Sequence, residues 1–262
     1  MNNHMKLRLG VFLGTLLACA LAERLLPRRG RVAGAGRRWS ANLGLSAVGA
    51  LAAALLLPFT IVEAAYHAEA RGIGLLNQRP LYYPLKFALS FVLLDLAVYV
   101  QHRLFHWSPA LWRLHAVHHT DLDLDASTGV RFHPAELLLS AVIKGACVVL
   151  LGAHFLAVLA FELALNAAAT FNHANLNLGA LDAPARLALV TPDMHRIHHS
   201  PGREETDSNF GFILPWWDRL FRTYRAEPRE PHESMALGLN GARDPDKLDF
   251  FSLLGRPFRR AA

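Results

Sequence analysis

Residues 137–169 read LLLSAVIKGACVVLLGAHFLAVLAFELALNAAA, and how this stretch is read decides the fold. One membrane-crossing helix takes about 20 apolar residues, since each rises about 1.5 Å and the hydrocarbon layer is about 30 Å thick. The stretch is too long for one crossing. It reads as two packed helices turning near Gly152, a hairpin that enters the bilayer and returns. The chain before residue 137 and after residue 169 is therefore expected on the same side of the membrane.

Three more apolar runs precede the hairpin. Residues 9–26 just suffice to span, residues 43–65 carry Pro58 as a kink, and residues 83–100 hold Lys86 near one end and Asp95 inside. The first run could be mistaken for a signal peptide, with Lys6 and Arg8 before it. It ends in Glu23-Arg24 and Pro27-Arg28-Arg29-Gly30, a poor cleavage site, and reads as a membrane helix. Residues 101–136 and 171–262 are polar enough for a membrane-proximal domain. Of the 262 residues 53% are hydrophobic and 18% charged, so the alternative of one or two soluble domains recedes.

The net charge of +6 lies largely in Arg-rich junctions and reads as topology. Arg24, Arg28, Arg29, Arg31, Arg37 and Arg38 fill the loop after the first span, against Arg71 and Arg79 in the next loop. The first loop is therefore expected in the cytoplasm, and the polar segments with it. No basic surface interleaved with aromatics points to nucleic acid. Cys19 and Cys147 sit in apolar runs and offer neither a disulfide nor a cysteine zinc site.

Histidines crowd the segments that the hairpin should bring together. His102 and His106 form H-x-x-x-H, and positions i and i+4 share a helix face closely enough to ligate one metal. His115, His118 and His119 form H-x-x-H-H, repeated by His195, His198 and His199. Adjacent residues on a helix splay by about 100°, so each box can serve two neighbouring metals. His173 and His133 add to the set. One tetrahedral zinc takes three or four protein ligands, whereas nine or ten imidazoles suit two metals. Nitrogen-only ligation fits first-row transition metals and, with open positions, iron and dioxygen, without choosing iron over zinc or manganese.

In chain order HRLFH (102–106), LHAVHHTD (114–121), RFHPAE (131–136), FNHAN (171–175), HRIHHS (195–200) and NFGFILPWWDRLFRTY (209–224) resemble the fatty acid hydroxylase / sterol desaturase superfamily of membrane oxidoreductases. The resemblance covers residues 83–224. It implies a non-haem di-iron centre that activates O2, with electrons from a separate carrier of ferredoxin or cytochrome type. On this resemblance His102, His106, His115, His118, His119, His173, His195, His198 and His199 match the family's metal-binding histidines. His133 matches its FHP element, as a ligand or a neighbour of one. Asn177 stands where the family often has a histidine, either holding a metal-bound water or taking no part.

Polar residues inside the spans form two stripes: Asp95, Tyr99, His102 and His106, and Glu162, Asn166, Thr170, His173 and Asn177. Carboxylates in a membrane usually face a bundle interior or cavity. Asp95 and Glu162 are expected beneath the metals, accepting from ligand N–H groups, meeting substrate, or bonding helix to helix. Asp121, Glu136, Asp193 and Asp207 are further candidates for bonding the ligands. Trp216 and Trp217 before Arg219 and Arg222 read as an interfacial anchor or as packing in the cap. His154 lacks a partner at ligand spacing and reads as a buried bonded residue or one near the membrane face. His4, His67 and His232 read as solvated.

The expectation is an all-α, multi-pass bundle of four to five membrane helices, with a cytoplasmic helical cap carrying a histidine-rich di-metal site. Residues 1–82 supply N-terminal membrane helices, 83–224 the catalytic domain and 225–262 a tail. The expected function is O2-dependent hydroxylation or desaturation of a lipid, sterol or fatty acyl among the options. A di-metal lipid hydrolase and a non-catalytic metal- or haem-binding protein stay open beside it. The terminal FRRAA is no lysine-based retrieval signal and favours a bacterial inner membrane.

Overall fold

The computed structural model describes residues 3–259; the last residues of FRRAA, 260–262, lie outside them. Among the described residues there is no strand, and one isolated bridge pairs Pro27 with Leu176. The long helices are α1 (Asn3–Leu25), α2 (Ala35–Leu56), α3 (Ile61–Ala70), α4 (Tyr83–Trp107), then α5 (Pro109–His115), α6 (Pro134–Leu151) and α7 (Phe155–His173). Short helices follow: α8 (Asp182–Ala185), α9 (Pro192–His198), α10 (Arg203–Thr206), α11 (Trp216–Leu220) and α12 (Phe250–Gly255).

Local chemistry sets the boundaries. α2 stops before Pro58, whose ring drives Leu57 to an extended conformation (φ −95°, ψ 129°). The run read as one kinked span is thus two helices, and α3 starts afresh on a Thr60–Glu63 capping box. Asp95 does not interrupt α4, which runs on past residue 100 and carries His102 and His106 on regular helix. Gly152 ends α6 at φ 65°, a conformation open to glycine, and a Cβ there would lie 2.7 Å from the Ile73 carbonyl. The expected hairpin therefore forms where glycine permits it.

Five segments are long and apolar enough to cross a membrane: α1, the α2–α3 segment, α4, α6 and α7. Their outer faces are apolar, as with Leu13, Leu17 and Leu21 at helical spacing on α1, all exposed. Surface of that kind needs lipid to cover it. Inside the bundle Val62 and Ala65 of α3, Leu94 and Val98 of α4 and Phe161 of α7 form the core. At one end the chain segments outside the spans fold into a cap. Parts of both flanking segments pack into this body, since Ala41 and Leu45 share a core with Val117, Leu248 and Leu253.

Arg38 of α2 ties the cap to the bundle. It is buried, donating to Asp121 at 2.6 and 2.8 Å and to Asp125 at 2.6 Å. Burial alone would raise the Asp121 carboxyl, but Arg38 and Arg131 outweigh it and hold it at about 2. Arg131 donates to the Val117 carbonyl, Asn42 and Thr120, fixing the turn on which His118 and His119 sit.

Candidate metal centre

Five elements deliver nine imidazoles to one end of the bundle. α4 brings His102 and His106, and α5 ends on His115. A turn of tighter helix at 118–120 carries His118 and His119. α7 ends on His173, and α9 brings His195 and His198 with His199 at its C-cap. The H-x-x-H-H boxes are therefore not continuous helix. Each lies where a short helix ends, and the change of backbone direction helps the adjacent rings diverge.

They diverge into two groups. His102, His106, His115, His119 and His198 form one, and His118, His173, His195 and His199 the other, with donor nitrogens in each group within 4.8 Å of one another. Each box splits its adjacent pair, His118 from His119 and His198 from His199. All nine side chains are shielded from solvent; even His106, the least covered residue, exposes 3% of its side chain.

Hydrogen bonds orient the rings. Nδ1 of His102 donates to the Phe210 carbonyl at 2.8 Å, His118 to Arg131 at 3.3 Å, His173 to Ala169 at 2.6 Å and His198 to Ser208 at 2.7 Å. A carbonyl can only accept, so these four rings carry the proton on Nδ1 and a lone pair on Nε2. His115 Nδ1 lies 2.7 Å from the Glu136 carboxylate, with the same consequence. His106 Nδ1 lies 3.3 Å from Asp207.

The Nε2 atoms then face one another. His102 and His115 approach to 3.1 Å, and His173 lies 3.0 Å from His118 and 3.1 Å from both His195 and His199. Lone pairs at these separations repel unless a cation lies among them. Metal–imidazole bonds of about 2.0–2.1 Å put neighbouring ligand nitrogens roughly 2.9–3.4 Å apart, so the spacings match a shared ion. Nε2 of His106 and His198 and both nitrogens of His119 are buried with no hydrogen-bond partner, as are Nδ1 of His195 and His199. The donor set fits two first-row transition ions.

Burial, and then the neighbouring imidazoles, lower the pKa of His118, His119, His195, His198 and His199 well below the ordinary value. The rings are neutral at physiological pH, the form that ligates. The Phe132 ring stacks on His118 with centroids 4.4 Å apart, and Phe210 and Phe212 flank His102. These rings keep water from the nitrogens.

The other expected site residues lie elsewhere. His133 stands outside both groups and is the N-cap of α6: its Nδ1 accepts from Ala135 N–H, and its Nε2 donates to the Leu254 carbonyl. Both of its nitrogens are thus engaged away from the two groups. Asn177 is exposed, its Oδ1 accepting from Gly179 N–H. α7 ends at His173, so the four-residue spacing no longer sets a shared face there.

Asp95 accepts from Trp217 Nε1 at 2.8 Å and from the Leu214 N–H, and touches no histidine. Glu162 is held between Arg8 at 2.7 Å and Lys144 at 2.8 Å. Of the remaining carboxylates Glu136 and Asp207 bond ligand rings, whereas Asp121 serves Arg38 and Asp193 serves Arg28 and Arg196. Trp217 packs inside on Asp95, and the half-exposed Trp216 donates to the Leu187 carbonyl. His154 caps α7, and His232, expected in solvent, is buried beside Asp193. The orienting carbonyls of Phe210, Arg131, Ala169 and Ser208 leave no mark in a sequence, because every residue has one.

The model of the fatty acid hydroxylase family matches residues 87–223, just over half of the chain. An ornithine lipid hydroxylase of Rhizobium tropici is 31% identical over 172 residues, covering 66% of this chain and 50% of that protein. Alkylglycerol monooxygenase of Homo sapiens is 29% identical over 170 residues, 63% of this chain and 36% of that protein. The same enzyme of Danio rerio is 32% identical over 142 residues, 53% of this chain and 30% of that protein. The chain thus spans half the length of these relatives or less. No solved structure matches it.

Proposed function

The chain belongs to the fatty acid hydroxylase family, and from that premise we propose that it is a membrane-bound, O2-dependent oxidoreductase with a di-iron centre that hydroxylates or desaturates a C–H bond of a lipid. The observation that carries this reading is the split of each H-x-x-H-H box between two imidazole-only groups. His102, His106, His115, His119 and His198 would hold one iron, and His118, His173, His195 and His199 the other. Sets of five and four imidazoles would leave positions open on first-row transition ions. When bound, the two irons supply the reduction of dioxygen and the oxidation of a strong C–H bond. A di-metal hydrolase fits less well, since neither group contains a carboxylate.

The protein's own groups orient and protect. Carbonyls of Phe210, Arg131, Ala169 and Ser208 fix the tautomers of His102, His118, His173 and His198. Glu136, the carboxylate partner of His115 Nδ1, orients that imidazole and makes it a stronger donor. Phe132, Phe210 and Phe212 exclude water that would otherwise reach the reacting centre. The electrons come from a separate ferredoxin- or cytochrome-type donor.

Arg28 reaches Asp193, and Arg38 reaches Asp121, so the Arg-rich loop lies on the same side as the histidines. The excess of basic residues in that loop supports a cytoplasmic side, and a bacterial protein among the relatives supports a bacterial inner membrane. Purified protein reconstituted with iron is expected to hold two irons per chain and to place oxygen from labelled O2 in a hydroxylated lipid. His118→Ala is expected to lose one iron and the activity. Zinc as the native metal with water-derived oxygen in the product, or an unaltered metal content in His118→Ala, overturns the assignment.

A further inference from the structure

A cavity of about 170 Å³ opens beside His102 and His115. That is little more than the roughly 150 Å³ that takes up a benzene molecule, too small for a sterol or a long acyl chain. Next to it lies a larger apolar groove of about 650 Å³ between α1, α2 and α3. Ser46, Val130 and Asn166 line both, so the two spaces are neighbours that share a wall.

One wall of the small cavity is polar. Glu136, Ser140 and Lys144 follow one another at four-residue spacing along α6, and Gln101 of α4 donates to Ser140 at 2.7 Å. Gln101 Oε1 and Glu136 Oε2 are buried without a hydrogen-bond partner. At the far end Lys144 and, from the groove, Arg8 share the single carboxylate of Glu162. Two cations on one anion leave one positive charge at membrane depth, a costly arrangement unless something answers it. The other acids along these walls are already engaged: Glu136 on His115, and exposed Glu63 in the capping box of α3.

We propose that the small cavity is a headgroup site for a lipid whose head joins a carboxylate to a hydrogen-bond donor, with the hydrocarbon tail in the groove. The carboxylate pairs with Lys144 and Arg8, and the donor, an amide N–H or hydroxyl, meets Gln101 and Glu136. One surplus charge matches a monoanion. The carbons that fit beside the histidines are then those of the head and its junction with the tail, not those far out on an acyl chain. The inference rests on the oxygenase reading for the site's chemistry and on the cavity walls alone for its ligand.

The test is binding of N-oleoylglycine to the iron-loaded full-length protein in detergent, against the neutral N-oleoylglycinamide. The acid is expected to bind at least tenfold tighter. Lys144→Gln is expected to abolish that preference, and Glu162→Gln, which removes the competing carboxylate, to increase it. Equal binding of acid and amide overturns the proposal, as does a preference unmoved by both variants. Acetate in hundredfold excess is expected not to displace the acid; displacement would make the ligand a free anion and sink the lipid. Iron content and O2 uptake, scored on the same samples, separate the two readings. Two irons with no headgroup preference remove the headgroup site alone, whereas a headgroup preference with no iron leaves that site standing and removes the oxygenase.

Discussion

At the scale of single residues, the centre rests on what each imidazole does with its second nitrogen. The Nδ1 atoms of His115 and His106 meet carboxylates instead of carbonyls, and Glu136 on His115 is the closer of the two, at 2.7 Å against 3.3 Å for Asp207 on His106. Glu136→Gln keeps the size and loses the charge. Iron titration of the apoprotein is expected to show affinity weakened by about 10–100-fold, the usual cost of removing such a partner. His133→Ala is the matched contrast: iron content stays at the wild-type value, while stability falls by about 1 kcal/mol for the lost cap, read as a lower Tm. Iron loss in His133→Ala with no change in Glu136→Gln would reverse both assignments. The two residues also mark how far the site was legible. Nine histidines stood out because imidazole is rare in apolar sequence and spaced here for ligation. His133 shares their composition and is separated from them by its cap bond to Ala135 and by its Leu254 partner, 121 residues away. Glu136 could be named as a candidate, but not distinguished from Asp121 or Asp193 before the fold chose among them.

Elements place those residues, and the α6–α7 hairpin does most of the placing. Its length and turn were readable because the number of residues needed to cross a bilayer is fixed by helix rise. The break after Leu56 was half readable: Pro58 announced a kink, but the Thr60 cap that makes it a new helix depends on local geometry. The stripe through Glu162 to Asn177 failed at its end, since helical spacing holds only while the helix lasts and α7 stops at His173. Least readable was the grip of α2 on the cap. Arg38 sits in an Arg-rich loop that composition assigns to membrane topology, yet its side chain is buried on Asp121 and Asp125. Arg38→Gln leaves two buried carboxylates without their cation and is expected to cost about 3–5 kcal/mol. Because the 121–131 segment positions His118 and His119 through Arg131, the variant is also expected to bind less iron per folded chain. Thermal melting and metal analysis of the detergent-purified variant check both. A wild-type Tm would mean that the ion pair is replaceable, and that the cap is held by its apolar core.

For the whole molecule, burying a histidine cluster couples stability to pH, and the sign follows from the direction of the shifts. His118, His119, His195, His198 and His199 are held neutral by burial, with pKa values well below the ordinary one. In the unfolded chain the same rings take up protons at about pH 6.5. Above that pH neither state is protonated at these rings and their contribution is fully present. As pH falls below it, only the unfolded state gains protons, and apoprotein stability drops. Asp121, held at about 2, loses its contribution only between roughly pH 4, the ordinary carboxylate value, and 2, so it takes no part in this window. Asp123 and Asp218, whose carboxyls burial raises, bind protons in the folded state and act in the opposite sense. The histidines outnumber them, and the apoprotein Tm is expected to fall progressively from about pH 6.5 to 5. Iron bound to the neutral rings competes with protons, so the iron-loaded protein is expected to hold its Tm to lower pH, with the gap between the two forms widening on acidification. Melting curves of both forms at pH 8, 7, 6 and 5 decide it. An apoprotein Tm that stays flat across that range, or two curves that run parallel, would mean that these five imidazoles are not held in the neutral, metal-ready form from which the proposed chemistry starts.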